Sequence, residues 1–312
     1  MGDSDIKLHI WPRSWNLPSW DPACLTAVMF LQLTIPDRFS VVEDLNPDAS
    51  VTGQLPFLQH NDEIFSSLHS MIKYVLSLPG VKSTFSQPSG AETAWITHAE
   101  SALGDLVANM LWALEANWSE LTHPTLAKTF PIPQRYYSPH RIRATYKARL
   151  EAADLWSLPG VEQEDAKKTN FRNLKPRKIE DPGPQHIFAK VFEREKVLEK
   201  ARTILELFNR LLGNKAYFGG DSPTLLDITV AAHLLLLLVP PFPDPLLQGL
   251  INTSFPSLVI HADRMRKDAL NMSNLRKSMR TSSFEDVWLQ RLRFGFFGVA
   301  LGGIAAYTIY SK

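Results

Sequence analysis

The first 80 residues alternate between short apolar runs and one long apolar stretch. "IKLHIW" predicts a buried strand, and "RFSVVED" predicts a second one. Between them, Asp21-Pro22 precedes "ACLTAVMFLQL", which predicts a helix with Asp21 as its N-cap and Pro22 at its first position. "QLPFLQHNDEIF" predicts two strands joined by a turn, and "SSLHSMIKYVL" predicts a helix. The order β-α-β-β-β-α predicts an α+β, thioredoxin-like half-domain over residues 1–80.

From about residue 90 the apolar positions take up helical spacing, which predicts an all-α half-domain over residues 90–280. In "ETAWITHAESALGDLVANMLWALEANW" one face would carry Trp95, Ala99, Ala102, Leu106, Met110 and Leu114. "SPHRIRATYKARLEAADLW" and "IFAKVFEREKVLEKARTILELFNRLLGNK" predict two more amphipathic helices. Residues 159–185 are polar and aperiodic with Pro and Gly at their ends, so we interpret them as a mobile loop.

One later helix is apolar on every side. In "DSPTLLDITVAAHLLLLLVPPFP", Thr224 is placed to be the N-cap, and Asp227 three residues on can complete a capping box. The stretch is too short to cross a bilayer, and it contains Asp227 and His233. It therefore predicts a core helix, with His233 as a hydrogen-bonded core residue.

The C-terminal stretch from Phe294 to Tyr310 contains no charge and no proline. Its length, at ~1.5 Å per residue, is roughly 25 Å, a little under the ~30 Å of a hydrocarbon core. Arg291, Arg293 and Lys312 flank it, and Gly298, Gly302 and Ala306 form a stripe of small residues. We interpret residues 284–312 as an amphipathic approach followed by a single transmembrane anchor. The alternative is a last core helix.

Composition and charge narrow the function classes. The net charge is +1 and the basic residues show no aromatic interleaving, so no nucleic-acid partner is expected. Residues 261–293 nevertheless carry eight bases and four acids directly before the apolar stretch, which suits anionic headgroups. One cysteine cannot form an internal disulfide, and nine scattered histidines have no metal-ligand spacing. The acidic N-terminus is unlike a cleaved signal or transit peptide. No metal or cofactor is expected.

Two segments resemble the glutathione transferase fold. In "GQLPFLQHNDEIF" the Leu-Pro pair matches the position of the fold's cis-proline, here Pro56, before its third strand. "YFGGDSPTLLDITVAAHL" is similar to the capping-box segment of its second domain. The resemblance covers roughly residues 6–270 and implies a thioredoxin-like half followed by an all-α half.

The same resemblance implies a degenerate glutathione site. Asp21 stands where redox relatives have a nucleophilic cysteine, and only the second cysteine, Cys24, is present. A carboxylate there would raise the pKa of a neighbouring thiol. Ser66 and Ser67 supply the hydroxyls expected at the next helix start, but no acid accompanies them. Ser14 and Ser19 are weak substitutes for a nucleophile, so the resemblance implies no catalytic residue.

Within this fold the chain is similar to the metaxins, through "DPACL", "DLNPDASVTGQLPFL" and "YFGGDSPTLLD". "FPIPQRYYSPHRIRATYKARLE" and the apolar C-terminus suggest the larger metaxin-like subunit of the fungal mitochondrial sorting and assembly machinery. The resemblance implies a scaffold on the cytosolic side of the mitochondrial outer membrane, without catalysis. Its implied partners are the β-barrel insertase, a second metaxin-like subunit, the general import pore, β-barrel precursors and the lipid bilayer.

Two other functions stay open at this point. A membrane-tethered glutathione transferase or peroxidase would share the fold and the apolar C-terminus. An organelle tether or metabolic adaptor would share the same architecture. Binding to glutathione separates the first from a scaffold, and the identity of co-purifying partners separates the second.

Overall fold

The structure is a computed structural model that describes residues 6–45, 50, 52–81, 85, 87–156 and 184–270, together with 295 and 298. Side chains of residues 184–190 are not described. The chain divides into two compact units, residues 1–277 and 278–312. In the second unit, Gly295 and Gly298 are helical and exposed.

The N-terminal half is built on a four-stranded sheet. Its strands are β1 Ile6–Ile10, β2 Phe39–Glu43, β3 Phe57–His60 and β4 Glu63–Phe65, in the spatial order β2-β1-β3-β4. β1 runs parallel to β2 and antiparallel to β3, with Leu8 opposite Val41 and Leu58. β3 and β4 form the predicted hairpin around Asn61. Alternate β1 residues point into the core, as period-two patterning requires.

Two helices complete this half. Helix α1 spans Pro22–Thr34 and helix α2 spans Leu68–Ser77. Most α1 side chains are buried, because the helix packs on α2 and on two helices of the helical half. The thioredoxin-like half and the all-α half predicted from the sequence are therefore confirmed as fold classes.

The helical half follows in several pieces. Its helices are α3 Gly90–Ala108, α4 Glu115–Asn117, α5 His123–Thr129, α6 Ser138–Ala152, α7 Pro184–Leu212, α8 Leu225–Leu238, α9 Leu246–Ser254 and α10 Pro256–Ala269. π-helical turns at Asn109–Ala113 and Trp118–Thr122 separate α3, α4 and α5. Gly213 ends α7 with a φ of +56°, a conformation that favours glycine.

Helix α8 is the centre of the molecule's core. All but one of its residues are buried, and it packs on α1, α3 and α10. It therefore joins the two half-domains within the first unit. The prediction of a core helix at this position is confirmed.

Two predicted segments lie mostly outside the described residues. Of the predicted loop 159–185, residues 159–183 are outside, and residues 184 and 185 already belong to α7. Of the predicted anchor stretch, only Gly295 and Gly298 are described. Nowhere in the described ranges does a helix combine the length and apolar character needed to cross a bilayer.

Candidate functional site

A cleft of about 390 Å³ opens where the two half-domains meet. Its N-terminal wall includes Asp21, Gln54 and Leu68. Its helical wall includes Trp112, Tyr146 and Arg149, among other residues. This is the place at which the resemblance locates a glutathione site, so the cleft is the candidate functional site.

Asp21 lies at the edge of the cleft and caps α1. Its Oδ2 accepts a hydrogen bond from the backbone N–H of Cys24 at 2.9 Å. Partial burial raises the pKa of the Asp21 carboxyl, against the lowering effect of the Cys24 N–H. The residue at the nucleophile position therefore works as a helix cap.

Cys24 points away from the cleft. Its side chain is fully buried, and it is not among the cleft-lining residues. Burial, followed by the Asp21 charge, raises the pKa of the Cys24 thiol well above its ordinary value. A buried thiol held in its neutral form is a poor nucleophile. The direction expected from Asp21 is confirmed, although burial contributes more than the charge.

Two other residues of the predicted glutathione site have structural roles, one in a cis peptide bond and one as a helix cap. The Leu55–Pro56 peptide bond is cis, at the expected place before β3. Ser67 caps α2, where its Oγ accepts a hydrogen bond from the Ser70 N–H at 3.1 Å. Of the predicted set Asp21, Cys24, Pro56, Ser66 and Ser67, only Asp21 lines the cleft.

The two serines considered as substitute nucleophiles are also buried. Ser19 Oγ accepts a hydrogen bond from the Asp21 N–H at 3.3 Å, in the turn that leads into α1. Ser14 is held in a tight turn by paired backbone hydrogen bonds with Leu17. Neither residue lines the cleft. Both serve the local turn geometry.

Aromatic residues that sequence reasoning did not assign to a site form much of the cleft wall. Trp112 and Tyr146 stack at 4.8 Å between ring centroids, and Trp20 meets Trp112 edge-on at 5.8 Å. Burial, and after it the Asp21 charge, raises the pKa of Tyr146. The Tyr146 hydroxyl is therefore held in its neutral form. No local signal links residues 20, 112 and 146 along the chain.

Arg149 brings a positive charge to the cleft, but most of its donors are engaged. Its Nε donates to Asp105 Oδ1 at 2.6 Å, and its Nη2 donates to the carbonyls of Ser101 and Glu100. A Cβ at Gly104 would lie 3.0 Å from Arg149 Nη2, so glycine there lets the guanidinium reach α3. The charge of Arg149 is thus used mainly to tie α6 to α3.

His233 forms part of the cleft floor from α8. Its Nδ1 donates to the carbonyl of Thr229 at 2.7 Å. Burial lowers the pKa of His233 to about 4, so the ring is neutral at physiological pH. It is a hydrogen-bonded core residue, as its sequence context predicts.

A second carboxylate, Asp227 at the start of α8, is completely buried. Its Oδ2 accepts from the N–H and the hydroxyl of Thr224, both at 2.8 Å. Its Oδ1 accepts from Phe218 N–H and from His261 Nε2, again at 2.8 Å. Sequence reasoning placed Thr224 and Asp227 in a capping box but missed His261, which α10 supplies from 34 residues away.

No group of three His, Cys, Asp or Glu side chains in the described ranges is arranged to bind a metal. The cleft therefore offers a helix-capping carboxylate, a neutral tyrosine and a largely engaged arginine. Among the described lining residues there is no side chain arranged as an activated thiol or serine nucleophile.

The chain matches two families of known proteins. A family described as an outer mitochondrial membrane transport complex protein matches residues 24–143. The glutathione S-transferase C-terminal domain matches residues 201–265.

Among curated relatives, metaxin-3 of Xenopus laevis is 25% identical over 73% of this chain and 65% of its own length. A metaxin-1 homologue of Drosophila melanogaster is 25% identical over 84% of this chain and 72% of its own length. The match thus spans just under two thirds of the frog protein.

Among solved structures, a glutathione S-transferase of Ceriporiopsis subvermispora in complex with glutathione superposes with a TM-score of 0.50. It is 15% identical and covers 85% of this chain and 98% of its own. At this identity the likeness shows the fold alone.

Proposed function

We propose that this chain is a metaxin-family protein with a glutathione-transferase-like fold, and that it is a non-catalytic subunit of a protein-transport complex of the mitochondrial outer membrane. In finer detail, it is the larger metaxin-like scaffold of the β-barrel insertion machinery, with its folded domain in the cytosol. It supports precursor receipt, complex stability and precursor release. Its partners are the barrel insertase, a second metaxin-like subunit and the general import pore.

The absence of catalysis is proposed from the structural roles of Asp21 and Cys24. At the nucleophile position of the related fold, a carboxylate caps α1 and the thiol beside it is buried. Activation would require a lowered thiol pKa and access to the cleft, and Cys24 has neither. The transport part of the proposal rests on the family match.

The decisive experiment is purification of the full chain from mitochondria in mild detergent, with identification of the proteins that accompany it. We expect a β-barrel insertase and a second metaxin-like subunit in stable amounts. Enzymes of small-molecule metabolism or tethers from another organelle, without a barrel protein, would refute the proposed complex.

Membrane attachment through residues 294–312 is a separate part of the proposal. The described residues contain no spanning helix, and the apolar stretch lies almost wholly outside them. We expect the full chain to resist carbonate extraction and a chain without residues 294–312 to be extracted. Resistance that persists after this deletion would refute the anchor.

A membrane-tethered glutathione transferase or peroxidase is the competing function, and the retained cleft is the observation that favours it. We expect no saturable retention of the full chain on immobilised glutathione. Retention that is abolished by Ser14→Ala, Ser19→Ala or Cys24→Ala would favour the enzyme. Ser89→Ala is a suitable comparison, since it removes the N-cap hydroxyl of α3 and Ser89 does not line the cleft.

A further inference from the structure

An exposed apolar patch lies on the turn between α5 and α6. Ile132, Tyr136 and Tyr137 are 60%, 69% and 45% exposed; these three residues are termed the turn patch. Three large hydrophobic side chains within six residues are unusual on a surface that faces only water. Clustered exposed apolar residues generally mark a binding surface for protein or membrane.

The backbone holds the turn patch in place. Arg135 N–H donates to the carbonyl of Pro131 at 3.0 Å, and Tyr136 N–H donates to that of Pro133 at 3.2 Å. Tyr137 N–H donates to the Gln134 carbonyl at 3.1 Å. These bonds close the turn, so its side chains are presented outward by a hydrogen-bonded backbone.

The chain segment that contains the turn patch carries basic residues and no acidic ones. Residues 121–150 include six Lys and Arg residues and no Asp or Glu. Arg143, Lys147 and Arg149 form ion pairs with Glu115, Glu151 and Asp105. Lys128, Arg135 and Arg141 have no ion-pair partner within the part of the chain that the structure describes. Three uncompensated cations thus lie within four residues of the turn patch along the chain.

We propose that the turn patch docks the folded domain on an anionic bilayer surface. Tyrosine suits the membrane interface, since its ring is apolar and its hydroxyl remains hydrated. Lys128, Arg135 and Arg141 would meet the anionic headgroups while Ile132 enters the boundary of the acyl region. A stable protein partner usually needs about 20 to 30 residues a side, which three residues do not supply. This inference rests on the proposed location at the outer membrane.

The test uses a fluorescent reporter on the full chain. Ile132→Cys is labelled with an environment-sensitive dye; Cys24 is buried, so labelling is restricted to the new thiol. The matched control is Ile64→Cys on β4, where the native side chain is 40% exposed and the neighbouring charged residues along the chain, Asp62 and Glu63, are acidic. Each protein is placed on phosphatidylcholine vesicles with or without phosphatidylserine. The parent chain, which lacks the introduced cysteine, is treated with the same dye to measure labelling elsewhere.

We expect the dye at position 132 to shift to the blue and to be quenched by lipid-borne nitroxide when phosphatidylserine is present. The dye at position 64 should change little. Lys128→Gln, Arg135→Gln and Arg141→Gln, combined in the Ile132→Cys chain, should abolish the shift. Each basic residue contributes about fivefold to binding at such a surface, equivalent to about 1 kcal/mol. Added salt should also reduce the shift, because it screens the attraction between these cations and the headgroups.

Two results would overturn this inference. In the first, positions 132 and 64 respond alike to anionic vesicles. In the second, the dye at position 132 becomes shielded only when co-purifying proteins are added, which would make the turn patch a protein interface. Either result leaves the partner composition of the purified complex intact, so failure here is distinguishable from failure of the proposed function.

Discussion

An aspartate stabilises the start of α1 and another stabilises the start of α8, and the two differ in how the carboxylate is held. Asp21 at α1 is half-buried at the edge of the cleft and caps the Cys24 N–H. Asp227 at α8 is fully buried and accepts four hydrogen bonds. One cap is local, whereas the other also receives a histidine from α10.

The difference shows what makes a buried carboxylate tolerable. Removing a charge from water costs several kcal/mol unless its lone pairs are satisfied. Asp227 meets that condition with donors from three parts of the helical half. Asp21 has fewer donors, and partial desolvation accordingly raises its pKa. The bonds to Asp227 stabilise the fold. Asp21 is a more weakly held carboxylate, at the position where the resemblance places a reactive group.

The largest expected effect is that of Asp227→Ala. It would leave the N–H groups of Phe218, Thr224 and His261 without their acceptor, in a region that is partly or fully buried. We expect a loss of about 3–5 kcal/mol in the free energy of unfolding, measured by urea titration of the full chain in mild detergent. Asp227→Asn keeps one acceptor oxygen and should lose less. A loss below about 1 kcal/mol for Asp227→Ala would show that the buried network is not a stabilising feature.

The next effect is a pH dependence from His233, which lies on the same helix as Asp227. Its folded-state pKa of about 4 is below the ordinary 6.5, so the unfolded chain binds the additional proton between these values. The contribution of His233 to the free energy of unfolding is complete above pH 6.5. It falls by about 3 kcal/mol as the pH decreases towards 4. His233→Gln should remove this part of the pH dependence. If His233→Gln lost as much stability as the parent between pH 6.5 and 4, His233 would not be the source of this pH dependence.

The smallest effect is expected at Asp21. Asp21→Ala removes a cap and should cost about 1 kcal/mol at neutral pH. Asp21→Asn keeps a capping oxygen without the charge. Because the folded-state pKa of Asp21 is raised, its ionisation opposes folding, and this cost disappears as pH falls through that pKa. The Asn variant should therefore match or exceed the parent at neutral pH and lose that advantage in acid. A loss as large as that of Asp227→Ala would erase the distinction between the two caps.

Local features of the site could be predicted from the sequence. The cap at Asp21 and the Thr224–Asp227 pair depend on residues a few positions apart, whereas the cis bond before Pro56 was expected from the resemblance to the glutathione transferase fold. The convergence of Trp20, Trp112 and Tyr146 on one cleft could not, because these residues belong to different elements.

The buried face of α3 was predicted only in part. Ala99 and Leu106 are buried, as is Met110 in the π-helical turn that follows α3. Trp95 and Ala102 are half-buried, whereas Ile96 and Leu103 are buried. Helical periodicity predicts one stripe facing one neighbour. The observed stripe is wider because α3 packs against α6, α7 and α8 at once.

The sequence by itself determined the order of elements, the helix starts and the unsuitability of Asp21 as a nucleophile, because each depends on short-range patterning or on residue chemistry. Only the tertiary structure decided that Cys24 is buried, that His261 reaches Asp227, and that the turn patch is exposed. These properties depend on which distant segments pack together, and burial sets both the pKa of a thiol and the cost of an unpaired charge.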